Sequence, residues 1–111
     1  MKNFINLNAD CLKIKIEQLH NKNQFVVWYI AGGIEYIAFQ SYNTLIAVYQ
    51  KGDYKYRTSD KLYINWNKWD YSKTTLKHLK MFINEYTSFN YENKQQFLNE
   101  LMHDDSIYLF K

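Results

Sequence analysis

The sequence predicts an α+β domain: an antiparallel β-meander of five or six strands, then two helices packed on one face, with a short C-terminal strand. Three observations carry that reading. Apolar and polar residues alternate with a period of two near the start, and turn-forming clusters at 20–23, 31–33, 41–43 and 51–53 divide the first half evenly. Beyond Trp66 the apolar spacing changes to three and four, which marks helices.

Taken in order, Leu12, Ile14 and Ile16 alternate with Lys13, Lys15 and Glu17, placing the three apolar residues on one face of a first strand. A helix starting near Asp10 competes with it, but His20-Asn21-Lys22-Asn23 is a turn, and the β-branched and aromatic run Gln24 to Ile30 follows as a hairpin partner. Ala31-Gly32-Gly33 supplies the positive φ angles of a tight reversal into a strand at Ile34 to Phe39. Ser41-Tyr42-Asn43 breaks the chain again, and Thr44 to Gln50 is the next strand. Lys51-Gly52-Asp53 turns into Tyr54 to Thr58, whose alternating Tyr and Lys or Arg suit a half-exposed strand, and Ser59-Asp60-Lys61 turns into a short Leu62-Tyr63-Ile64. Apolar positions 76, 79, 82, 83 and 86 then define a helix with Ser72 as its N-cap. Phe97, Leu98, Leu101 and Met102 define a second one from Asn93 to His103. Asp104-Asp105-Ser106 ends it, and Ile107 to Phe110 returns as a last strand or packs over the helices.

Composition narrows the class. At 111 residues the chain reads as a single α+β domain over 1–111, and 47% hydrophobic with 19% aromatic residues is too rich for disorder. No run approaches a membrane span of roughly 18 apolar residues, and the start lacks the apolar segment of a secretory signal, so a cytoplasmic protein with no membrane partner is expected. Cys11 is a single cysteine, and with His20, His78 and His103 it offers neither zinc-ligand spacing nor a fixed nucleophile and base. Phosphate-binding and hydrolase motifs are also missing. The expectation is therefore a protein with no catalytic residues, metal or cofactor.

Charge is uneven. Residues 51–80 carry seven Lys and Arg57 against three Asp, a balance of +5, whereas 81–111 carry two Lys against five acids, a balance of −3. In the basic stretch Lys55, Arg57, Lys61 and Lys68 are interleaved with Tyr54, Tyr56, Tyr63, Trp66, Trp69 and Tyr71, while Lys73, Lys77 and Lys80 share one helix face. Such a surface can neutralise phosphates and offer rings for base stacking, or it can dock on a protein through aromatic anchors. A solvated lysine face and a tyrosine-rich sheet are the plainer reading, and Arg57 alone supplies little bidentate recognition. Ser72, Thr74, Thr75 and His78 place further polar groups in the first helical turn, where open amides favour an anion. An exposed sheet edge also leaves a homodimer open.

The segments Ser41-Tyr42-Asn43-Thr44-Leu45-Ile46-Ala47 and Trp69-Asp70-Tyr71-Ser72-Lys73-Thr74-Thr75-Leu76-Lys77-His78-Leu79 resemble a family of small proteins encoded by phages and plasmids of low-GC Gram-positive bacteria. The likeness spans roughly residues 39 to 83, and 13 Lys against one Arg with no Pro fits an AT-rich genome. It implies a mobile-element accessory protein, with no catalytic residues to carry over. The expected function is a non-enzymatic inhibitor of a host protein or nucleoprotein complex, such as an anti-CRISPR protein. The alternative is a small nucleic-acid-binding accessory protein using the same basic and aromatic surface.

Overall fold

The computed structural model describes residues 11–19, 22–53 and 57–111, with the first four of these as backbone. Strands β1 (Cys11–Gln18), β2 (Gln24–Ala31), β3 (Ile34–Ser41), β4 (Thr44–Gln50) and β5 (Lys61–Asn65) form an antiparallel meander in sequence order. Helices α1 (Lys73–Tyr86) and α2 (Lys94–His103) follow, and β6 (Ile107–Phe110) joins the sheet parallel to β5. Parallel pairing needs a long crossover, and the two helices supply it. The chain is thus α+β, with a short C-terminal strand.

Both helices begin where the side chains can cap them. Ser72 Oγ accepts from the Thr75 amide at 3.0 Å, and Asn93 Oδ1 accepts from the Gln96 amide at 2.9 Å. Their apolar stripes bury Leu79, Phe82, Ile83, Phe97 and Leu101 against one face of the sheet, where Val26, Ile37, Phe39, Tyr49, Leu62 and Ile64 complete a single core. Rings organise it: Phe39 stacks on Phe82 at 5.7 Å, and Phe97 packs between Trp69 at 5.6 Å and Tyr91 at 4.5 Å. On the opposite face Val27, Tyr29, Tyr36, Ala38 and Val48 form a second cluster, with Tyr29 stacked on Tyr36 at 5.1 Å.

Two expectations change. The β1–β2 register shifts between Lys13 and Lys15, and one extra residue moves every later side chain to the other face. Lys15 consequently lies over the Trp28 ring at 4.7 Å, and Ile16 is 52% exposed rather than in the core. The strand expected at Tyr54 to Thr58 is not one where it is described. Residues 54–56, including Lys55, lie outside the described residues, and Arg57 has φ 57°, a left-handed conformation that no strand accepts. The described residues on either side are tied to each other instead: the Thr58 amide donates to the Asp53 carbonyl at 3.0 Å and the Asp53 amide donates to Thr58 Oγ1 at 2.7 Å.

Asp60 locks the β4–β5 loop to the body of the fold. Its carboxylate accepts from the Gly52 amide at 2.7 Å, from Ser88 Oγ at 2.7 Å and from the Tyr49 hydroxyl. Partial burial pushes the Asp60 pKa up, but these hydrogen bonds, with Lys51 nearby, outweigh it and hold the carboxyl below its ordinary value. A lowered folded-state pKa contributes stability above the unfolded pKa of about 3.9 and loses it as pH falls through the folded value. Thermal midpoints measured from pH 6 down to pH 2.5 should therefore fall less steeply in Asp60→Asn than in the wild type; equal slopes would show that Asp60 is not linked. Gly52 is needed in the same loop for space, since a Cβ there would lie 2.5 Å from the Thr58 carbonyl oxygen and 2.9 Å from the Asp60 nitrogen. Gly52→Ala should cost about 1–3 kcal/mol in a denaturant titration, as overpacking against backbone does.

Candidate functional site

The β3–β4 hairpin turns at Tyr42 and Asn43. Tyr42 has φ 53°, in the region that Gly or Asn ordinarily fills in such turns. Two hydrogen bonds hold it there: its amide donates to the Asn23 carbonyl at 2.7 Å, and its carbonyl accepts from Gln40 Nε2 at 2.7 Å. Across from it, Asn65 builds the segment leading into α1. Asn65 Nδ2 donates to the Leu45 carbonyl at 2.9 Å, and the amides of Trp69 and Lys68 return to the Asn65 carbonyl at 2.9 and 3.2 Å. Hairpin and pre-helix segment are thereby tied together.

Between them lies a groove of ≈ 340 Å³, walled by Ser41, Tyr42, Thr44 and Ile46 on one side and by Lys68, Tyr71, Ser72 and Thr75 on the other. Apart from Lys68, its lining residues come from the two segments that carry the family resemblance. Tyr71 is 73% exposed and Tyr42 61%, and among the described residues these are the two exposed aromatic rings. Lys68 Nζ sits over the Tyr71 ring at 4.7 Å, so a cation and a ring share one edge of the groove.

The lysine stripe lies on the outer face of α1, the helix whose N-cap Ser72 lines this groove. Lys73, Lys77 and Lys80 are all exposed and extend over seven residues of α1, about 10 Å at the helical rise. Among the described residues no acid pairs with any of the three, whereas Lys15, Lys51 and Lys94 are bridged to Glu17, Glu35 and Asp70. Glu92, Glu100, Asp104 and Asp105 lie in and around α2, while Asp70 precedes Tyr71 and Glu85 lies near the end of α1. Burial first, then Asp104 and Glu92, raise the Glu100 pKa above its ordinary value, the sign expected among like charges.

The other expected site residues disperse. Trp69 is 3% exposed and packs on Phe97, and Trp66 is half-buried beside it at 6.4 Å, so neither offers a free ring face. Arg57 sits in the loop that follows β4, at the far end of that strand from the groove. Lys61 caps the Tyr108 ring at 5.9 Å. His78 is 2% exposed, and its Nδ1 contacts the Thr74 carbonyl at 2.8 Å, which places it under α1 rather than in an anion site. Thr74 is exposed, and Thr75 is buried with its hydroxyl 3.0 Å from Ser72 Oγ. The groove also recruits Ser41, Thr44 and Ile46, which residue chemistry alone did not single out as a site.

Among the described residues no group of three or more His, Cys, Asp or Glu is placed to hold a metal ion. No helix among them is long and apolar enough to cross a membrane. In comparisons with known proteins, the model of a family of unknown function, DUF8033, matches residues 14–100. No curated protein and no solved structure matches the chain.

Proposed function

The chain belongs to DUF8033, a family of unknown function, and from its surface chemistry we propose a non-enzymatic binding protein that engages single-stranded nucleic acid. One observation carries the reading: the two rings exposed among the described residues, Tyr42 and Tyr71, line one groove, and the outer face of the adjoining helix α1 carries three lysines with no ion-pair partner among the described residues. Lysines along a face meet successive phosphates and release their counterions, while tyrosine rings stack on bases that no partner strand covers. Such binding is tolerant of sequence, which suits a chain with one Arg. In the mobile-element setting that the resemblance implies, this activity would occupy a host's single-stranded DNA or RNA.

A second reading, an inhibitor docked on a host protein or nucleoprotein, is favoured by the same two rings, because exposed tyrosines also anchor protein interfaces. It is weakened by the burial of Trp69 and the partial burial of Trp66, which removes the anchors such docking would use first.

Fluorescence anisotropy with labelled oligonucleotides separates the two. Single strands should bind more tightly than duplexes of the same length, and Tyr42→Asn with Tyr71→Ala should abolish that preference while leaving a salt-sensitive remainder. No binding of either form at low salt would remove the nucleic-acid reading and leave docking on a protein.

A further inference from the structure

We propose that the groove between the β3–β4 turn and the first turn of α1 is a pocket for one nucleoside 5′-phosphate, its base against Tyr42 and Tyr71 and its phosphate at the α1 amides beside Lys68. The pocket rests on the nucleic-acid reading above and goes beyond it, since the lysine stripe needs no pocket to bind a strand.

Four features converge there. The groove's ≈ 340 Å³ lies within the range of about 300–1,000 Å³ in which small ligands are held. Its floor is polar: Ser41 shares the helix-side face of β3 with Ile37 and Phe39, is 5% exposed, lines the groove, and makes no side-chain hydrogen bond among the described residues. With no partner among the described residues and open to the groove, that hydroxyl is free to donate to or accept from a ligand there. Gln24, the cross-strand partner of Ser41 in β2, does not itself line the groove; it is 1% exposed, and its Oε1 is buried without a hydrogen-bond partner.

At the opposite wall, Ser72 Oγ takes the Thr75 amide, which leaves the Lys73 and Thr74 amides without an intrahelical acceptor. Those two N–H groups and the Lys68 ammonium suit a phosphate. Finally, Tyr42 keeps a bulky ring at a left-handed position where Asn or Gly would fold more easily, so strain is retained to hold a ring at the groove lip.

The test titrates ¹⁵N-labelled protein with adenosine 5′-monophosphate, uridine 5′-monophosphate, inorganic phosphate and an oligothymidylate. Both nucleotides should saturably shift the amides of Tyr42, Thr44, Lys73 and Thr74, and phosphate alone should bind at least about tenfold more weakly, the worth of one stacked base. Tyr42→Asn should reduce nucleotide affinity to that of phosphate while its thermal midpoint holds or rises, because Asn fits the turn; a ring with a purely structural role would lower the midpoint instead. Lys77→Ala with Lys80→Ala should leave mononucleotide binding unchanged. No saturable shift from either nucleotide, or equal affinity for nucleotide and phosphate, would overturn the pocket. Oligothymidylate binding without mononucleotide binding would overturn the pocket and keep the strand-binding reading. Mononucleotide binding without oligothymidylate binding would keep the pocket and overturn that reading.

Discussion

Phe97→Ala is expected to cost about 3–5 kcal/mol, the largest stability loss of any single change considered, because a fully buried aromatic leaves both lost transfer energy and a cavity. Phe97 is 0% exposed and wedged between Trp69 and Tyr91, on an element that crosses from β5 back to β6. Marginal stabilities of about 5–15 kcal/mol make this a large share of the total, with a fall in thermal midpoint of more than about 10 °C. The effect reaches the site. Trp69 lies two residues before Tyr71, so loosening its packing unfixes one wall of the groove. A midpoint within 2–3 °C of the wild type, on the order of 1 kcal/mol or less, would show that the α2 contact is peripheral.

Replacing Lys73, Lys77 and Lys80 together by Ala should produce the largest loss of binding. Each phosphate neutralised on a single strand contributes about −0.7 to the slope of log K against log salt, so three contacts amount to about two units. If variant and wild type bind equally at 1 M salt, two units of slope make the variant about a hundredfold weaker than the wild type at 0.1 M. The fold should be indifferent, because the three side chains are exposed and have no ion-pair partner among the described residues. A triple variant with unchanged slope would place the phosphate path elsewhere on the molecule.

Much of the architecture was legible because local chemistry and tertiary packing agree. Gly32 and Gly33 take the positive φ angles the β2–β3 turn needs, Ser72 caps α1, and the apolar positions of both helices face the sheet apart from Met102, which is 63% exposed. The failures have a common cause, in that a local pattern cannot report a register shift or a loop closed by side chains. Alternation at Leu12 to Ile16 is real, but a bulge reverses its phase. The pattern of Tyr and basic residues after Asp53 reads as a strand, yet Arg57 is left-handed and side chains tie Asp53 to Thr58 and Gly52 to Asp60.

The candidate site was legible in its charges and only partly in its rings. Periodicity placed Lys73, Lys77 and Lys80 on one face without knowledge of the sheet. Nothing in the residues distinguished Tyr71, which is exposed, from Trp69 two positions earlier, which is core, because that depends on α2 covering one of them. Ser41 was invisible for a similar reason. It gains meaning only when the hairpin end meets α1.

The most direct measurement of the central claim is an amide-shift map of the full chain on addition of a single-stranded oligonucleotide. The account predicts changes concentrated at residues 41–46 and 68–80, with the acidic stretch 92–105 unmoved. No changes at low salt, or changes confined to the Tyr29 and Tyr36 face of the sheet, would contradict it.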